Sequence, residues 1–417
     1  MESYVINGGR KLSGSVKIES AKNAVLPIIA GALLCSGEVV IQNCPKIGDV
    51  ITMLDILDYL GVNAYFQEDN LIIDSKGFCN RQIPKCLTKK LRSSIYMLGA
   101  ILAIRNNVKL AYPGGCNIGS RPIDIHLSAL KQLGVSVEEG DLYVDCIAQN
   151  GISGSDICLP FPSVGATENV ILASVFCKGK TIVRNCAREP EIVDLANFIN
   201  ACGGRVNGAG SKTIEIFGVK KLFGTVYKPI SDRIELATYV ISTVITGGEA
   251  EFLNADLQNI PNLVHKFLNN TCSVTVKNDI IYIKSNGVKK AFSFDTGPYP
   301  KFSTDVQPQT MALLSVSQGQ SVIRENLFEN RFGHATELCK MGAKIKVLDN
   351  VAIVDGVKRL HGATVCANDL RGGASLVLAG LNAEGVTTVL NTNHVERGYF
   401  DMVGKLTELG ADVRKNI

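Results

Sequence analysis

The sequence predicts a mixed α/β fold of two inside-out, barrel-like domains, each built from three repeats with buried helices and outer sheets. The first observation is a helical pattern with apolar residues at i, i+3 and i+4 that ends at or near a glycine and runs into a β-like stretch. This pattern recurs six times at intervals of roughly 70 residues. The second is the chain length of 417 residues, which is long for one core and favours two domains of three repeats each.

The six amphipathic helices are predicted to begin at Asp49, Pro122, Glu191, Asn259, Arg331 and Arg397. A glycine is expected at the end of such a helix because it adopts the left-handed conformation that closes the last turn. Five of the helices have one, namely Gly61, Gly134, Gly203, Gly342 and Gly410, and Thr271 or Cys272 takes its place in the fourth.

A second helix precedes each amphipathic one and is rich in Ala, Leu, Ile and Val on most faces, which predicts burial all round. These segments are 22–37, 91–104, 164–179, 233–248, 305–319 and 371–385. Short β-branched stretches such as VVIQN, VKLAY and TIVRN lie between the two helices. Each repeat is therefore predicted to run helix, strand, helix, strand and a further strand.

Composition excludes several classes of function. The 43 Lys and Arg nearly balance the 39 Asp and Glu without a run of like charges, so no nucleic-acid partner is expected. The longest apolar stretch, Ala24 to Cys35, is interrupted by Pro27 and too short to span a bilayer, so we expect neither export nor a membrane anchor. Thirteen cysteines without a C-x-x-C pair favour reduced thiols and a cytoplasmic location.

Cofactors are not expected either. The five histidines, His126, His265, His334, His361 and His394, show no metal-ligand spacing. The sequence has no phosphate-binding G-x-x-x-x-G-K motif and no dinucleotide fingerprint after a strand. We therefore predict an enzyme or binding protein without a metal or a dinucleotide.

The loop PGGCNIGSRP, residues 113–122, is the strongest candidate for chemistry. It makes the second repeat about four residues longer than the first and third. Its glycines leave backbone N–H groups free to face an anion, and Arg121 follows Cys116 closely, a setting that favours a thiolate. Alternatively, Cys116 is one more small apolar residue, as most free cysteines are.

The starts of the buried helices carry further candidates. Helix N-termini favour anions, and charged or small residues stand at or just before several first turns: Lys22, Asn23, Arg92, Ser163, Val164, Gly165, Asp305 and Arg371. Together they suggest several anionic groups bound at once. Taken singly, the cations could be solvated surface residues, and Asp305 could be a helix cap.

The motifs resemble the family of UDP-N-acetylglucosamine 1-carboxyvinyltransferases, enolpyruvyl transferases that begin peptidoglycan precursor synthesis. The resemblance covers essentially the whole chain in order, and the Gly-Gly-Cys loop is its most specific element. It is carried by KNA (22–24), LRSS (91–94), PGGCNIGSRPID (113–124), PSVGATEN (162–169), REPEIVD (188–194), SDRIE (231–235), TDVQPQ (304–309), ENRF (329–332), DLRGGASLVLAG (369–380) and ERGY (396–399).

The resemblance implies domain boundaries and a reaction. The first domain would span 22–229 and the second 1–21 with 230–417. The family transfers the enolpyruvyl group of phosphoenolpyruvate to the 3′-hydroxyl of UDP-N-acetylglucosamine and releases phosphate through a tetrahedral intermediate, without a metal. We expect a monomer.

The resemblance also implies residue roles. Cys116 would donate a proton to the methylene carbon and be the target of fosfomycin, while Asp305 would accept the proton of the sugar hydroxyl. Lys22, Arg121 and Arg397 would hold phosphoenolpyruvate, Arg331 and Arg371 would face its carboxylate, and Asn23 would bond to the reacting centre. The nucleotide sugar would meet Arg92, Arg121, Pro122, Ile123, Asp124, Ile125, Ser163, Val164, Gly165 and Leu327. Phe161 stands where many members have a lysine that reaches the nucleotide, so contact with the diphosphate from that side is not implied.

Two alternatives stay open at this point. The related enzyme that acts on shikimate 3-phosphate shares the six-repeat fold but, as a family, lacks the cysteine loop. A catalytically silent sensor of nucleotide sugars would have the same fold. The sensor is disfavoured because five residues suited to the chemistry are present together: Cys116, Asp305, Lys22, Arg121 and Arg397.

Overall fold

The computed structural model describes residues 2–115, 118–119, 122–260, 262, 268, 271–285, 287 and 290–416. Its α-helices are α1 Lys22–Ala32, α2 Gly48–Tyr59, α3 Lys85–Thr88, α4 Tyr96–Arg105, α5 Asp124–Gln132, α6 Val164–Ser174, α7 Pro190–Ala201, α8 Arg233–Thr246, α9 Gln307–Leu314, α10 Gly333–Lys340, α11 Leu370–Asn382, α12 Asn393–Glu396 and α13 Met402–Glu408. Short 3-10 helices span Ser75–Gly77, Arg92–Ile95 and Leu257–Asn259.

The strands are β1 Ser3–Asn7, β2 Ser13–Lys17, β3 Cys35–Ser36, β4 Val39–Ile41, β5 Asn63–Gln67, β6 Asn70–Asp74, β7 Asn107–Ala111, β8 Ser136–Glu139, β9 Tyr143–Ile147, β10 Asp156–Cys158, β11 Lys180–Arg184, β12 Val206–Asn207, β13 Thr213–Phe217, β14 Leu222–Phe223, β15 Val226–Tyr227, β16 Glu249–Leu253, β17 Cys272–Lys277, β18 Ile280–Ser285, β19 Phe294–Asp295, β20 Gln320–Arg324, β21 Lys344–Leu348, β22 Val351–Asp355, β23 Thr364–Cys366, β24 Val386–Leu390 and β25 Asp412–Asn416.

Each repeat contributes one small sheet. In the described residues the strand orders are β15-β4-β6-β5, β7-β9-β8, β10-β11-β13-β12, β17-β18-β16-β2, β19-β20-β22-β21 and β23-β24-β1-β25, and β14 pairs separately with β3. Antiparallel hairpins such as β5–β6 and β21–β22 form the outer parts of these sheets. Side chains alternate between buried and exposed along most strands, as in β20 and β24, because one face packs on helices and the other meets water.

Parallel edge strands link distant parts of the chain. The chain leaves the third repeat through β15, which pairs parallel with β4 of the first repeat. Strand β2, near the N-terminus, pairs parallel with β16, and β1 lies between β24 and β25. These pairings tie the first and last segments of each set of three repeats together.

The chain divides into two compact units, which we call the terminal unit and the central unit. The terminal unit comprises the described residues of 1–19, 118–119 and 231–417, and the central unit comprises 20–115 and 122–230. The chain passes from one unit to the other after residue 19 and again after residue 230. A hydrogen bond joins the two crossing segments within each unit: the Asp232 N–H donates to the Glu19 carbonyl in the terminal unit, and the Ala21 N–H donates to the Ile230 carbonyl in the central unit, both at 2.8 Å. The assignment of 22–229 and of 1–21 with 230–417 to enolpyruvyl-transferase domains stays a prediction.

The most apolar helices lie in the interior of each unit, as predicted. Every residue of α11 from Leu370 to Leu381 is buried, and so is every residue of α8 from Arg233 to Ile245. The cores of the two units are separate clusters of apolar side chains. The fold class predicted from the sequence, mixed α/β with buried helices and outer sheets, is confirmed, and no sheet formed by the described strands is a closed barrel.

The predicted helix ends are confirmed where the chain is described. Gly61, Gly134, Gly203, Gly342 and Gly410 all have positive φ, between 77° and 95°. The helix expected from Asn259 falls largely outside the described residues. The one expected from Arg397 begins later, at Met402, because Asp401 adopts a φ of 41° and its carboxylate accepts the Gly404 N–H at 3.0 Å.

Candidate active site

In the terminal unit, Asp305 lies two residues before α9 and is approached by two buried arginines. Arg331 Nη2 donates to Asp305 Oδ1 at 3.1 Å, and Arg371 Nη2 lies 3.8 Å from Asp305 Oδ2. The side chains of both arginines are 2% exposed, whereas that of Asp305 is 28% exposed. The N-cap residue of α9 is Val306 and not Asp305, so the Asp305 carboxylate is not a helix cap.

Arg331 is held on three sides. Its Nε and Nη2 donate to the Thr304 carbonyl at 3.3 and 3.1 Å, and Nη1 donates to Asp369 Oδ1 at 3.3 Å. Asp369 caps α11, since the same oxygen accepts the N–H groups of Arg371 and Gly372 at 3.0 Å. The sequence DLRGG therefore folds as a capped helix start whose carboxylate also orients Arg331.

Arg371 carries unused donors inside the protein. Its Nε and Nη1 are buried and have no hydrogen-bond partner among the described residues. Burial opposes its charge, yet the pKa of Arg371 is raised above its usual value because Tyr399, Asp305 and Asp232 favour the cation. A permanently charged guanidinium with spare N–H groups is suited to binding an anion.

His334 lies in the first turn of α10, beside the same cluster. Both of its ring nitrogens are buried without a hydrogen-bond partner among the described residues. Burial lowers its pKa to about 4, with Asp369 acting in the opposite direction and Arg331 in the same one. At neutral pH the ring adds no charge to the site.

Leu327 and Arg397 occupy less enclosed positions in the terminal unit. Leu327 is half-buried in a turn, where its N–H donates to the buried Glu325 carboxylate at 2.9 Å. Arg397 directly follows α12 and is partly exposed. Ile118 of the Gly-Gly-Cys loop belongs to this unit, and its carbonyl accepts the Asn330 N–H at 3.1 Å.

In the central unit, Lys22 is the first residue of α1 and Asn23 the second. Lys22 Nζ lies 3.0 Å from Asp49 Oδ2, in the first turn of α2. The lysine side chain is 14% exposed and the aspartate 6% exposed, so the ion pair holds a largely buried ammonium at the start of α1.

Arg92 connects the start of the second buried helix to the end of the Gly-Gly-Cys loop. It begins the 3-10 helix that leads into α4, and its Nη2 donates to the Pro122 carbonyl at 3.2 Å. The following residues enter α5: Ile123 is buried, Ile125 is half-buried and Asp124 is exposed. The contact fixes the main chain at Pro122 just before the exposed Asp124.

Ser163 caps α6 through a hydrogen bond from the Ala166 N–H to its Oγ at 3.4 Å, and Val164 and Gly165 form the first turn. Gly165 lies against the ring of His126: a Cβ on it would be 2.9 Å from the imidazole Cε1. The glycine is needed for this close approach. Phe161, just before this helix, is 42% exposed.

The protonation of His126 follows from its neighbours. Gly99 N–H donates to Asn169 Oδ1 at 2.9 Å, so the Asn169 amide nitrogen is the group that faces His126 Nδ1, at 2.8 Å. Nδ1 therefore accepts, and the proton of the neutral ring is on Nε2. Burial, with the charge of Arg92, lowers the pKa of His126 to about 3.

Cys116 and Arg121 lie outside the described residues. Of the other predicted residues, the structure brings Asp305, Arg331 and Arg371 together in the terminal unit and Arg92 and Pro122 together in the central unit. Sequence reasoning missed Asp49, Asp369, His126 and His334. The histidines were considered only as metal ligands, and in the described part of the chain no group of His, Cys, Asp or Glu is arranged to hold a metal ion.

Residues 6–406 match the family model described as EPSP synthase (3-phosphoshikimate 1-carboxyvinyltransferase). The chain is 44% identical over 99% of its length to UDP-N-acetylglucosamine 1-carboxyvinyltransferase 2 of Caldanaerobacter subterraneus, of which 99% is covered. It is 43% identical over 99% of its length to UDP-N-acetylglucosamine 1-carboxyvinyltransferase of Thermotoga maritima, of which 98% is covered.

Two solved structures share the fold. The enolpyruvyl transferase NikO from Streptomyces tendae superposes with a TM-score of 0.89 at 26% identity, covering all of this chain and 99% of that one. EPSP synthase from Acinetobacter baumannii superposes with a TM-score of 0.77 at 16% identity over the whole of both chains, which is a likeness of fold alone. Among the described residues no helix has the length and apolar character needed to cross a membrane.

Proposed function

Because the chain belongs to the EPSP synthase family and, within it, to the UDP-N-acetylglucosamine 1-carboxyvinyltransferases, we propose that it transfers an enolpyruvyl group from phosphoenolpyruvate to UDP-N-acetylglucosamine. The sugar 3′-oxygen bonds to C2 of phosphoenolpyruvate while C3 gains a proton. The resulting tetrahedral intermediate then loses a proton from C3 and phosphate from C2. This reaction begins the synthesis of peptidoglycan precursors.

The observation that carries the proposal is the cluster of Asp305, Arg331 and Arg371. Two buried cations face one partly exposed carboxylate, and the Nε and Nη1 atoms of Arg371 have no hydrogen-bond partner in the part of the chain that is described. Phosphoenolpyruvate brings a carboxylate and a phosphate, and guanidinium groups bind both kinds of oxygen through paired hydrogen bonds. Arg331 and Arg371 would therefore face the carboxylate of phosphoenolpyruvate.

Asp305 would accept the proton of the sugar hydroxyl. Arg331 and Arg371 lie 3.1 and 3.8 Å from its oxygens, and their positive charges favour the ionised carboxylate that a general base requires. Cys116 would donate the proton that C3 receives. In the elimination C3 would give a proton back to the thiolate, and the proton held by Asp305 would leave with the phosphate. The same thiol would be the residue that fosfomycin alkylates.

Lys22, Asn23, Arg121 and Arg397 would complete the phosphoenolpyruvate site. Lys22 is held by Asp49 at the first turn of α1, where the helix N–H groups add to its positive potential. Asn23 would bond to the reacting centre. The nucleotide sugar would bind at Arg92, Pro122, Ile123, Asp124, Ile125, Ser163, Val164, Gly165 and Leu327, with no contribution from Phe161 to the diphosphate.

The test is phosphate release from phosphoenolpyruvate in the presence of UDP-N-acetylglucosamine or of shikimate 3-phosphate. Phosphate release with UDP-N-acetylglucosamine alone supports the proposal. Phosphate release with shikimate 3-phosphate would show instead that the protein catalyses the related reaction on that acceptor. Tight binding of the nucleotide sugar with no release from either acceptor would identify a sensor.

A second arm tests the thiol. Fosfomycin pretreatment should abolish release and add one mass increment to the peptide that contains Cys116. Labelling at another of the thirteen cysteines would contradict the role proposed for Cys116. We further propose that the enzyme acts in the cytoplasm as a monomer, which cell fractionation and sedimentation would test.

A further inference from the structure

A buried hydrogen-bonded network lies behind Asp305 and Arg371. Gln309, on α9, is fully buried, and its Nε2 lies 3.0 Å from the Asp305 carbonyl, 3.1 Å from Tyr399 Oη and 3.1 Å from Thr238 Oγ1. Thr238 Oγ1 and Tyr399 Oη are 2.8 Å apart. These three side chains come from α8, α9 and the segment after α12, so the network joins three separate elements.

The direction of each hydrogen bond can be assigned. The Thr238 hydroxyl donates to the Ile234 carbonyl at 2.8 Å, which uses its single proton. Tyr399 must therefore donate to Thr238, and the remaining acceptor position of Tyr399 Oη is open to Gln309. The Asp305 carbonyl can only accept, which fixes the NH₂ end of the Gln309 amide toward it.

Tyr399 also contacts the second residue of the site. The Arg371 guanidinium carbon lies 5.1 Å from the centre of the Tyr399 ring, and both residues are at most 2% exposed. A guanidinium stacked on an aromatic face in a buried place is held by a cation–π interaction. One tyrosine thus supports Arg371 with its ring and, through Gln309, the main chain of Asp305 with its hydroxyl.

We propose that Gln309 and Tyr399, with Thr238, are positioning residues that set the placement of Asp305 and Arg371. The inference rests on the proposed function, in which Asp305 accepts a proton and Arg371 faces the substrate carboxylate. Tyr399 then has two effects. Its hydroxyl supports the proton transfer by positioning Asp305, and its ring supports phosphoenolpyruvate binding by positioning Arg371.

The test measures kcat and the KM of each substrate for a set of variants with wild-type folding. Tyr399→Phe keeps the ring but loses the hydrogen bonds that its hydroxyl makes with Thr238 and Gln309, so kcat should fall about tenfold or more, with the KM of phosphoenolpyruvate within about twofold. Tyr399→Leu removes the ring as well, so that KM should also rise, about tenfold or more. The KM of UDP-N-acetylglucosamine should stay unchanged in both.

Gln309→Met provides an independent route to the same effect. It should lower kcat as Tyr399→Phe does, and the double variant should lose little more than either single one, because both interrupt the same chain of hydrogen bonds. Tyr239→Phe is the matched control. Tyr239 is a fully buried tyrosine of α8 whose hydroxyl has no hydrogen-bond partner among the described residues, so its removal should leave all three constants unchanged.

Three results would overturn the inference. In the first, Tyr399→Phe and Gln309→Met have the same kcat as Tyr239→Phe. In the second, they lower the melting temperature and change kcat and both KM values in parallel. In the third, the loss of kcat in the double variant is the product of the losses in the two single variants. Asp305→Asn, measured alongside, distinguishes these from failure of the proposed function. If Asp305→Asn keeps its activity, the proposed role of Asp305 is wrong, whereas an inactive Asp305→Asn with normal Tyr399→Phe and Gln309→Met refutes the positioning role alone.

Discussion

At the scale of single residues, replacement of Asp305 should have the most direct effect on the reaction. Replacing it with Asn keeps its size and removes its capacity to accept a proton. We expect Asp305→Asn to lower kcat by at least a hundredfold, the lower range for loss of a general base. Binding of both substrates, measured by calorimetry, should change by less than about tenfold, since the arginines remain.

The control for this change is Asp295→Asn. Asp295 also pairs with an arginine, Arg324, at 3.6 Å, but both side chains are more than half exposed. This variant should have wild-type kinetics because exposed ion pairs contribute little. A tenfold or smaller loss of kcat in Asp305→Asn would mean that another group removes the hydroxyl proton.

Gly165 is the residue where one methyl group should alter substrate binding. In Gly165→Ala the new Cβ would lie 2.9 Å from His126 Cε1 and 3.2 Å from Nε2, so the ring or the helix start must shift. We expect the KM of UDP-N-acetylglucosamine to rise several-fold and that of phosphoenolpyruvate to stay the same. Gly333→Ala, where a Cβ meets nothing within 4 Å, is the control. Equal increases in both KM values would contradict the placement of Gly165 at the nucleotide sugar.

The residues that sequence reasoning found and missed differ in how they can be recognised. Arg371 could be predicted because its position at the start of an apolar helix is local in sequence. His126 could not, because its state depends on Asn169, which is 43 residues away, and on the Gly99 N–H, which binds Asn169. The pairing of Tyr399 with Gln309 joins residues 90 positions apart. Such contacts are set by packing, which no single segment encodes.

At the scale of elements, the glycines that end the amphipathic helices should contribute to stability through backbone conformation alone. Gly134 has a φ of 81°, and a Cβ there would meet nothing within 4 Å. Gly134→Ala should therefore lower the free energy of unfolding by about 1 kcal/mol from the left-handed conformation, without a steric clash. Urea denaturation would measure this, with Gly333→Ala as the control at ordinary φ. An unchanged midpoint for Gly134→Ala would contradict the conformational argument.

The elements themselves were predictable to different degrees. Helices that are apolar on most faces, such as α11, were identified because their pattern alone requires burial. The partners of the edge strands could not be predicted from the sequence. Strand β1 pairs with β24 and β25, more than 370 residues away, and β15 pairs with β4, more than 180 residues away. Hydrogen bonding between distant strands depends on how the repeats stack, and strand sequences of this length carry no information about it.

At the scale of the whole molecule, buried titratable groups should make the free energy of unfolding depend on pH. Some of them lower it as the pH rises, and others lower it as the pH falls. Burial raises the pKa of Asp194 from 3.8 to about 6, so the folded chain holds this proton more tightly and stability falls as pH rises from about 4 to about 6. Burial lowers the pKa of His126 from 6.5 to about 3 and that of His334 to about 4. Below pH 6.5 the unfolded chain binds protons that the folded chain does not, so stability falls with falling pH.

The contribution of His126 can be isolated by His126→Gln, which cannot be protonated. The pKa of His126 is 6.5 in the unfolded chain and about 3 in the folded chain. At pH 5 this difference lowers the free energy of unfolding by about 2 kcal/mol, and at pH 7.5 it has almost no effect. The wild type should therefore lose more stability than His126→Gln between these two pH values, whatever their relative stability at pH 7.5. His361→Gln, at an exposed histidine, should behave as the wild type. Equal losses in the wild type and in His126→Gln would show that the ring is protonated in the folded enzyme, and the neutral tautomer inferred from Asn169 would then be wrong.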